Sequence, residues 1–243
     1  MLFNPTTRVR RLVAPVLASA VVGGTAAGAV AAVKPKPAAV QVAAATSSVP
    51  APLTRAETAA EDVIGYLEKG RPAKSKAEVR ILRNLAHGAA ADALRHAGVS
   101  QSRIAAFQRR ADRTARLSLG GAPTLKVSQA ANSVSQLMPG FYARFHDPVP
   151  AAVLKLDYLD RQVQLDAQAG DRAKLRQTIG QLETTWRQVR PQLVKKAGGT
   201  SVASAYDQHV AALRNRVTLS AAQKYAVHGL DVVDQMEKVF LGL

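Results

Sequence analysis

The chain has 243 residues, with 33 Lys and Arg against 17 acids for a formal charge of +16. It contains no cysteine, which excludes disulfides, thiolate metal sites and thiol catalysis. Hydrophobic residues make up 47% and aromatics only 5%, so the core is built mainly from Ala, Val and Leu and favours closely packed helices over a β-sandwich. The charge excess predicts contact with something anionic, such as a phosphate polymer, acidic lipid or an acidic protein surface.

The first residues read M-L-F-N-P-T-T-R-V-R-R, then an apolar run ending in the small-residue site Ala29 to Ala31. A basic region (Arg8, Arg10, Arg11), an apolar region and a small-residue site form the order of an export signal. The reading is therefore a signal over 1–32, cleaved near residue 31, and a protein secreted or held at the cell envelope. An uncleaved anchor over Leu12 to Ala32 is the alternative, although Pro15, Gly23, Gly24 and Gly28 make it poorly hydrophobic. Arg10-Arg11 hints at twin-arginine export without the usual flanking residues. Residues 33–53 are rich in Ala, Val and Pro, lack helical or strand period, and read as a linker.

Thr54-Arg55-Ala56-Glu57 and Ser75-Lys76-Ala77-Glu78 each fit a capping box, in which hydroxyl and carboxylate satisfy free amides at a helix start. Gly70 with Pro72 separates these two helices, and Gly98 ends the second. A third runs from about Ser102 to Leu117. Gly120-Gly121-Ala122-Pro123 is the strongest internal break and marks a subdomain boundary between 54–119 and 124–243.

Lys126 to Met138 follows as a helix, with Pro139-Gly140 as a kink or stop. Asp147-Pro148-Val149-Pro150 launches the next helix. Beyond it, Leu175, Ile179, Leu182, Trp186, Val189 and Leu193 alternate four and three apart, the spacing of a bundle seam. Gly198-Gly199 closes that helix. Val202, Tyr206, Val210, Leu213 and Val217 mark another, and Tyr225, Val232, Met236 and Phe240 the last. With no alternating strand run and short loops, the fold class is all-α: an antiparallel up-and-down helical bundle with an N-terminal helical subdomain.

The stretch L-D-Y-L-D-R-Q-V-Q-L-D, Leu156 to Asp166, sets three aspartates and an arginine in a leucine-rich run. On a helix, Val153, Leu156, Leu159 and Val163 share one face. Asp157 and Arg161 stand four apart in the favourable order for an ion pair, with Asp160 between the faces. Paired catalytic carboxylates would need a cleft and separated pKa values, so the stretch reads as a salt-bridged face beside a core seam.

The same stretch resembles a segment of uncharacterised exported bacterial helical-bundle proteins that reads L-D-Y-L-G-R-E ahead of a tryptophan-bearing helix. Leu156, Asp157, Tyr158, Leu159 and Arg161 match, whereas Asp160 replaces the glycine and Gln162 the glutamate. Asp231 to Phe240 is similar to the end of such proteins. The resemblance spans about the last hundred residues and implies an exported helical bundle, with no activity attached.

Three features bear on function. Between Lys69 and Arg116 twelve Lys or Arg face three acids, a net +9. Arg80, Arg83, Arg103, Arg109, Arg110, Arg113 and Arg116 make this either a polyanion-binding face or a generic solubility charge. Within it, Ala91 to Phe107 is similar to a helix-turn-helix DNA-binding motif. Gly98 is its turn, Val99, Ile104 and Phe107 stand at apolar positions, and Ser100, Gln101, Ser102 and Arg103 open the recognition helix. Leu94 departs from the small residue expected there, and an export signal argues against a DNA partner. Finally, His209 and His228 lie symmetrically about the turn near Thr218 to Ser220, level with each other and near Trp186. Facing histidines in a bundle hold metal or haem, or bond to a neighbouring Tyr or Asp. No catalytic triad order, phosphate loop or carboxylate cleft is recognisable, so no cofactor is required and the favoured role is binding, not catalysis. A metal or haem carrier is the alternative, and a DNA-binding protein the third reading.

Overall fold

The computed structural model describes residues 48–215 and 218–243. The export-signal reading and Val217 lie outside the described residues.

The all-α expectation holds: among the described residues there are ten helices and no strand. The first is α1 (Ala51–Glu68), entered from Pro50 in an extended conformation and carrying Pro52 in its first turn. Proline suits that turn because its missing N–H has no acceptor there anyway. The helix therefore starts ahead of the expected capping box, inside the span read as linker, and Val49 is already buried. Pro72 opens α2 (Pro72–His87) in the same way.

The side chains expected to cap α2 tie these two helices together instead, while Glu57 of the α1 box accepts from Tyr142. Ser75 Oγ donates to the Val63 carbonyl at 3.1 Å, and Glu78 accepts from Arg55. Gly70, at φ +63°, makes the turn between them, a conformation that only glycine adopts readily. Gly88 splits the expected second helix into α2 and a short α3 (Ala89–His96).

After Gly98 come α4 (Gln101–Leu119), α5 (Thr124–Ser135) and α6 (Met138–Tyr142), the last holding Pro139-Gly140 within it. They are followed by α7 (Ala151–Gln168), α8 (Arg172–Leu193), α9 (Gly199–Arg214) and α10 (Leu219–Leu241). Asp171 caps α8 by accepting from the Lys174 amide, and Thr218 caps α10 by accepting from that of Ala221.

The helix α1 packs on α2 and α5, and α4 packs on the same two. Helix α7 is the centre of the other half, with α5, α6, α8 and α10 against it, while α9 lies on α8 and α10. One continuous core runs from Val49 to Phe240, and a smaller cluster centred on Val63, Ile64 and Val79 lies beneath α4 and α5.

All six seam residues of α8, from Leu175 to Leu193, are buried. On α10 the expected phase holds at Val232, Met236 and Phe240, but Tyr225 faces outward. Ala222, Ala226 and Gly229 fill that part of the seam, so small residues replace the large apolar ones that periodicity seeks. No described helix is long and apolar enough to cross a membrane.

Candidate functional site

The Leu156–Asp166 stretch lies on α7, and its encirclement by four helices decides its chemistry. Val153, Leu156, Leu159 and Val163 are buried, as their spacing predicts. The Asp157–Arg161 pair forms, with Arg161 Nη2 3.0 Å from a carboxylate oxygen and Glu61 of α1 at 3.5 Å. The face is not solvated, however: Arg161 is 4% exposed and Asp160 0%. What reads as the outer side of an amphipathic helix is a second, polar interior.

Most buried polar atoms on that side have a defined partner, the exceptions including Arg161 Nε and Asn132 Oδ1. Gln162 accepts from Asn132 Nδ2 at 2.9 Å and donates to Asp166 Oδ1 at 2.8 Å. Thr178 Oγ1 of α8 donates to the other Asp166 oxygen at 2.7 Å. Gln164 Nε2 donates to Glu68 at 2.9 Å. Such pairing offsets the cost of taking polar groups out of water.

The densest constellation joins three helices. Asp160 Oδ1 lies 2.7 Å from His209 Nε2, and Asp160 Oδ2 accepts the Tyr206 hydroxyl at 2.7 Å, both across to α9. Burial pushes the Asp160 carboxyl above the ordinary carboxylate value, while the charge of His209 and the bonds from His209 and Tyr206 pull it partly back. Burial, reinforced by Asp160, holds the Tyr206 phenol well above its ordinary value. The Nδ1 atom of His209 is buried without a hydrogen-bond partner.

Helix α10 crosses this pair at Gly229. A Cβ there would stand 2.5 Å from His209 Nε2 and 2.6 Å from the Asp160 carboxyl carbon. Only a residue without a side chain lets α10 approach α7 and α9 so closely. Gly229→Ala is therefore expected to destabilise the fold by about 1–3 kcal/mol through overpacking, although alanine is the better helix former. Urea denaturation measures this, and a stabilised variant would contradict the close approach.

A row of rings extends from the pair. Trp186 lies 4.7 Å from Tyr206, Tyr206 is 5.0 Å from His209, and His209 is 6.4 Å from His228 by ring centroids. The Trp186 indole N–H donates to Asp207, which also pairs with Arg190. The structure thus brings His209 and His228 together as expected, but His209 Nε2 is taken by Asp160 and His228 sits on the exposed side of α10. Among the described residues no three His, Asp or Glu are grouped to hold a metal. Asp160 and His209 have fully enclosed side chains, so the pair acts as an internal polar clasp, with no face open to a substrate.

The helix-turn-helix segment takes the expected local form. Gly98 turns at φ +70°, and Leu94, Val99, Ile104 and Phe107 are buried. Ser100, Gln101 and Ser102 are exposed, but Arg103 lies over the Phe141 ring at 5.2 Å. With α2 and α5 against its flanks, α4 presents a single outer strip through Ser102, Arg109, Arg113 and Arg116.

The seven arginines of the basic region divide accordingly. Arg110 is partly buried and donates to the Ser133 carbonyl and to Gln136, joining α4 to α5. Arg103 is likewise part-buried, whereas Arg80, Arg83, Arg109, Arg113 and Arg116 are exposed. Arg83 and His87 of α2 both reach Asp112 of α4 at 3.1 Å. That junction merges the outer strips of the two helices into one surface.

Sequence periodicity missed Tyr206 as a hydrogen-bonding group and Gly229 altogether. An isolated glycine inside a helical pattern was the available signal for the second. Comparison with protein-family models, with curated proteins and with solved structures returns no match for this chain.

Proposed function

We propose that this is an exported helical-bundle protein that acts by binding, holding an anionic polymer on the surface shared by α2 and α4. The Arg83–Asp112–His87 junction carries the reading, because it aligns Arg80 and Arg83 with Arg109, Arg113 and Arg116. On α4 those last three recur at four and three residues, about 6 and 4.5 Å along the axis, which sets them in one row. Each acid of the region is paired: Glu78 with Arg55, Asp92 with Arg95, and Asp112 with Arg83 at the junction itself. Among the described residues Arg80, Arg109, Arg113 and Arg116 make no ion pair. The enclosed Asp160–His209 clasp supports a structural role for the histidine, and with it a binding protein ahead of a catalyst.

Affinity for a linear polyphosphate, read by fluorescence anisotropy, is expected to fall steeply with salt, since each neutralised charge releases condensed counterions. Replacing Arg109, Arg113 and Arg116 with Gln should flatten the salt slope by about 2 units with little change in helicity. Replacing Arg187, Lys195 and Lys224, exposed on α8, beyond its end and on α10, should have a much smaller effect. Equal losses from the two variants would reduce the basic surface to a solubility charge and end the proposal.

A further inference from the structure

The exposed row on α2 runs Arg80, Arg83, His87, at three- and four-residue spacing, beside Arg109, Arg113 and Arg116 on α4. Its last position is the one in either row that is not an arginine. Histidine is the side chain whose charge ordinarily changes between about pH 5 and 8, whereas arginine stays charged throughout. His87 also stands where the two helices meet. Its Nε2 lies 3.1 Å from both Asp112 oxygens, and Arg83 Nε lies 3.1 Å from Asp112 Oδ1.

A carboxylate only accepts, so Nε2 carries the hydrogen and Nδ1 is the atom that takes up a second proton. That event turns the junction of Arg83, Asp112 and His87 from neutral to cationic. The imidazolium also competes for Asp112, which loosens the hold of the carboxylate on Arg83, a side chain more than half exposed. The remaining charged groups nearby are engaged. A tight turn joins α1 to α2, so the end of α2 lies beside the start of α1, where Arg55 and Glu57 are held by Glu78 and Tyr142. On α3, Asp92 pairs with Arg95, and His96 is exposed.

Resting on the anionic-polymer reading above, we propose that His87 is an acid-responsive contact of this surface. Once protonated it adds a cation to the α2 row, so the polymer is held tightly at mildly acidic pH and loosened as the pH rises. By linkage, binding of the polymer draws a proton onto His87.

Labelled dextran sulfate, titrated into the full-length protein and followed by fluorescence anisotropy at about pH 5.5 and 8, tests this. Its sulfate esters stay ionised across that range, so only the protein titrates. The wild type should bind about three- to tenfold tighter at the lower pH, with a salt slope steeper by about 1 unit. His87→Gln should bind at the lower pH no better than the wild type does at the higher one. His87→Arg should bind tightly at both, and His96→Gln and His228→Gln should respond like the wild type. An equal pH response in the wild type and His87→Gln, or its loss in His96→Gln, would overturn the proposal and leave the polymer surface standing. Absence of wild-type binding at either pH, or binding unaffected by replacement of Arg109, Arg113 and Arg116, would instead remove the surface itself and the proposal with it.

Discussion

Replacing Asp160 with alanine is expected to destabilise the folded protein by about 3–5 kcal/mol, the usual consequence of removing one partner from a buried charged pair. The carboxylate is the shared acceptor of Tyr206 and His209, so its loss strands two buried polar groups at once. Asp160→Asn keeps the shape, can still accept from Tyr206, and should lose less. Comparing wild type with the Asn variant also isolates the titration of Asp160. Its folded value lies above the ordinary 3.8, so the fold holds that proton more tightly than the unfolded chain does. That contribution is fully present below the unfolded value and is lost as pH rises through the folded one. Wild-type stability relative to the Asn variant should therefore decline across that interval and level off above it. A relative gain with rising pH would mean that His209 holds Asp160 as an anion strongly enough to overcome its burial.

The second large effect concerns the four-three seam of α8. Leu182 is fully buried, between Ile179 and Trp186 on the face that meets α7 and α9. Leu182→Ala should cost about 2–5 kcal/mol, from lost transfer energy together with the cavity left by incomplete collapse. Chemical denaturation with Trp186 fluorescence gives the value. A change near zero would place Leu182 outside the core and invalidate the register of the seam.

These predictions differ in how far the sequence supports them. Leu182 was legible because its burial follows from a run of six residues on a single helix, each one turn from the next. Asp160 was not. Its neighbours Asp157 and Arg161 form the expected i,i+4 pair, and an exposed face is where such pairs usually occur. Nothing within those eleven residues records that α10 lies across them. The partners Tyr206 and His209 are 46 and 49 positions away. The histidine pairing was half legible: hairpin symmetry brought His209 to His228, but the carboxylate that takes His209 Nε2 comes from another helix.

The seam of α10 shows the same boundary from the other side. Large apolar residues marked its C-terminal half correctly, whereas the N-terminal half packs through Ala222, Ala226 and Gly229, and Tyr225 points outward. Alanine and glycine carry little hydrophobic signal, yet they are what close helix approach demands. The capping boxes of α1 and α2 failed for a related reason. Proline at each helix start was a competing local signal; Ser75 and Glu78 found partners across the α1–α2 contact, and Glu57 found Tyr142.

By itself the sequence determined the helical class, the breaks at Gly70, Gly98, Gly120-Gly121 and Gly198, and the uneven basic charge between residues 69 and 116. Those properties depend on turn conformation, on periodicity within one helix, and on composition, all of which are local. Only the tertiary structure decided that the polar side of α7 is interior, that Gly229 seals the Asp160–His209 clasp, and that Arg103 and Arg110 turn inward while Arg109, Arg113 and Arg116 stay exposed. Burial is a property of what surrounds a residue, and for α7 the surroundings are four helices brought together from distant parts of the chain.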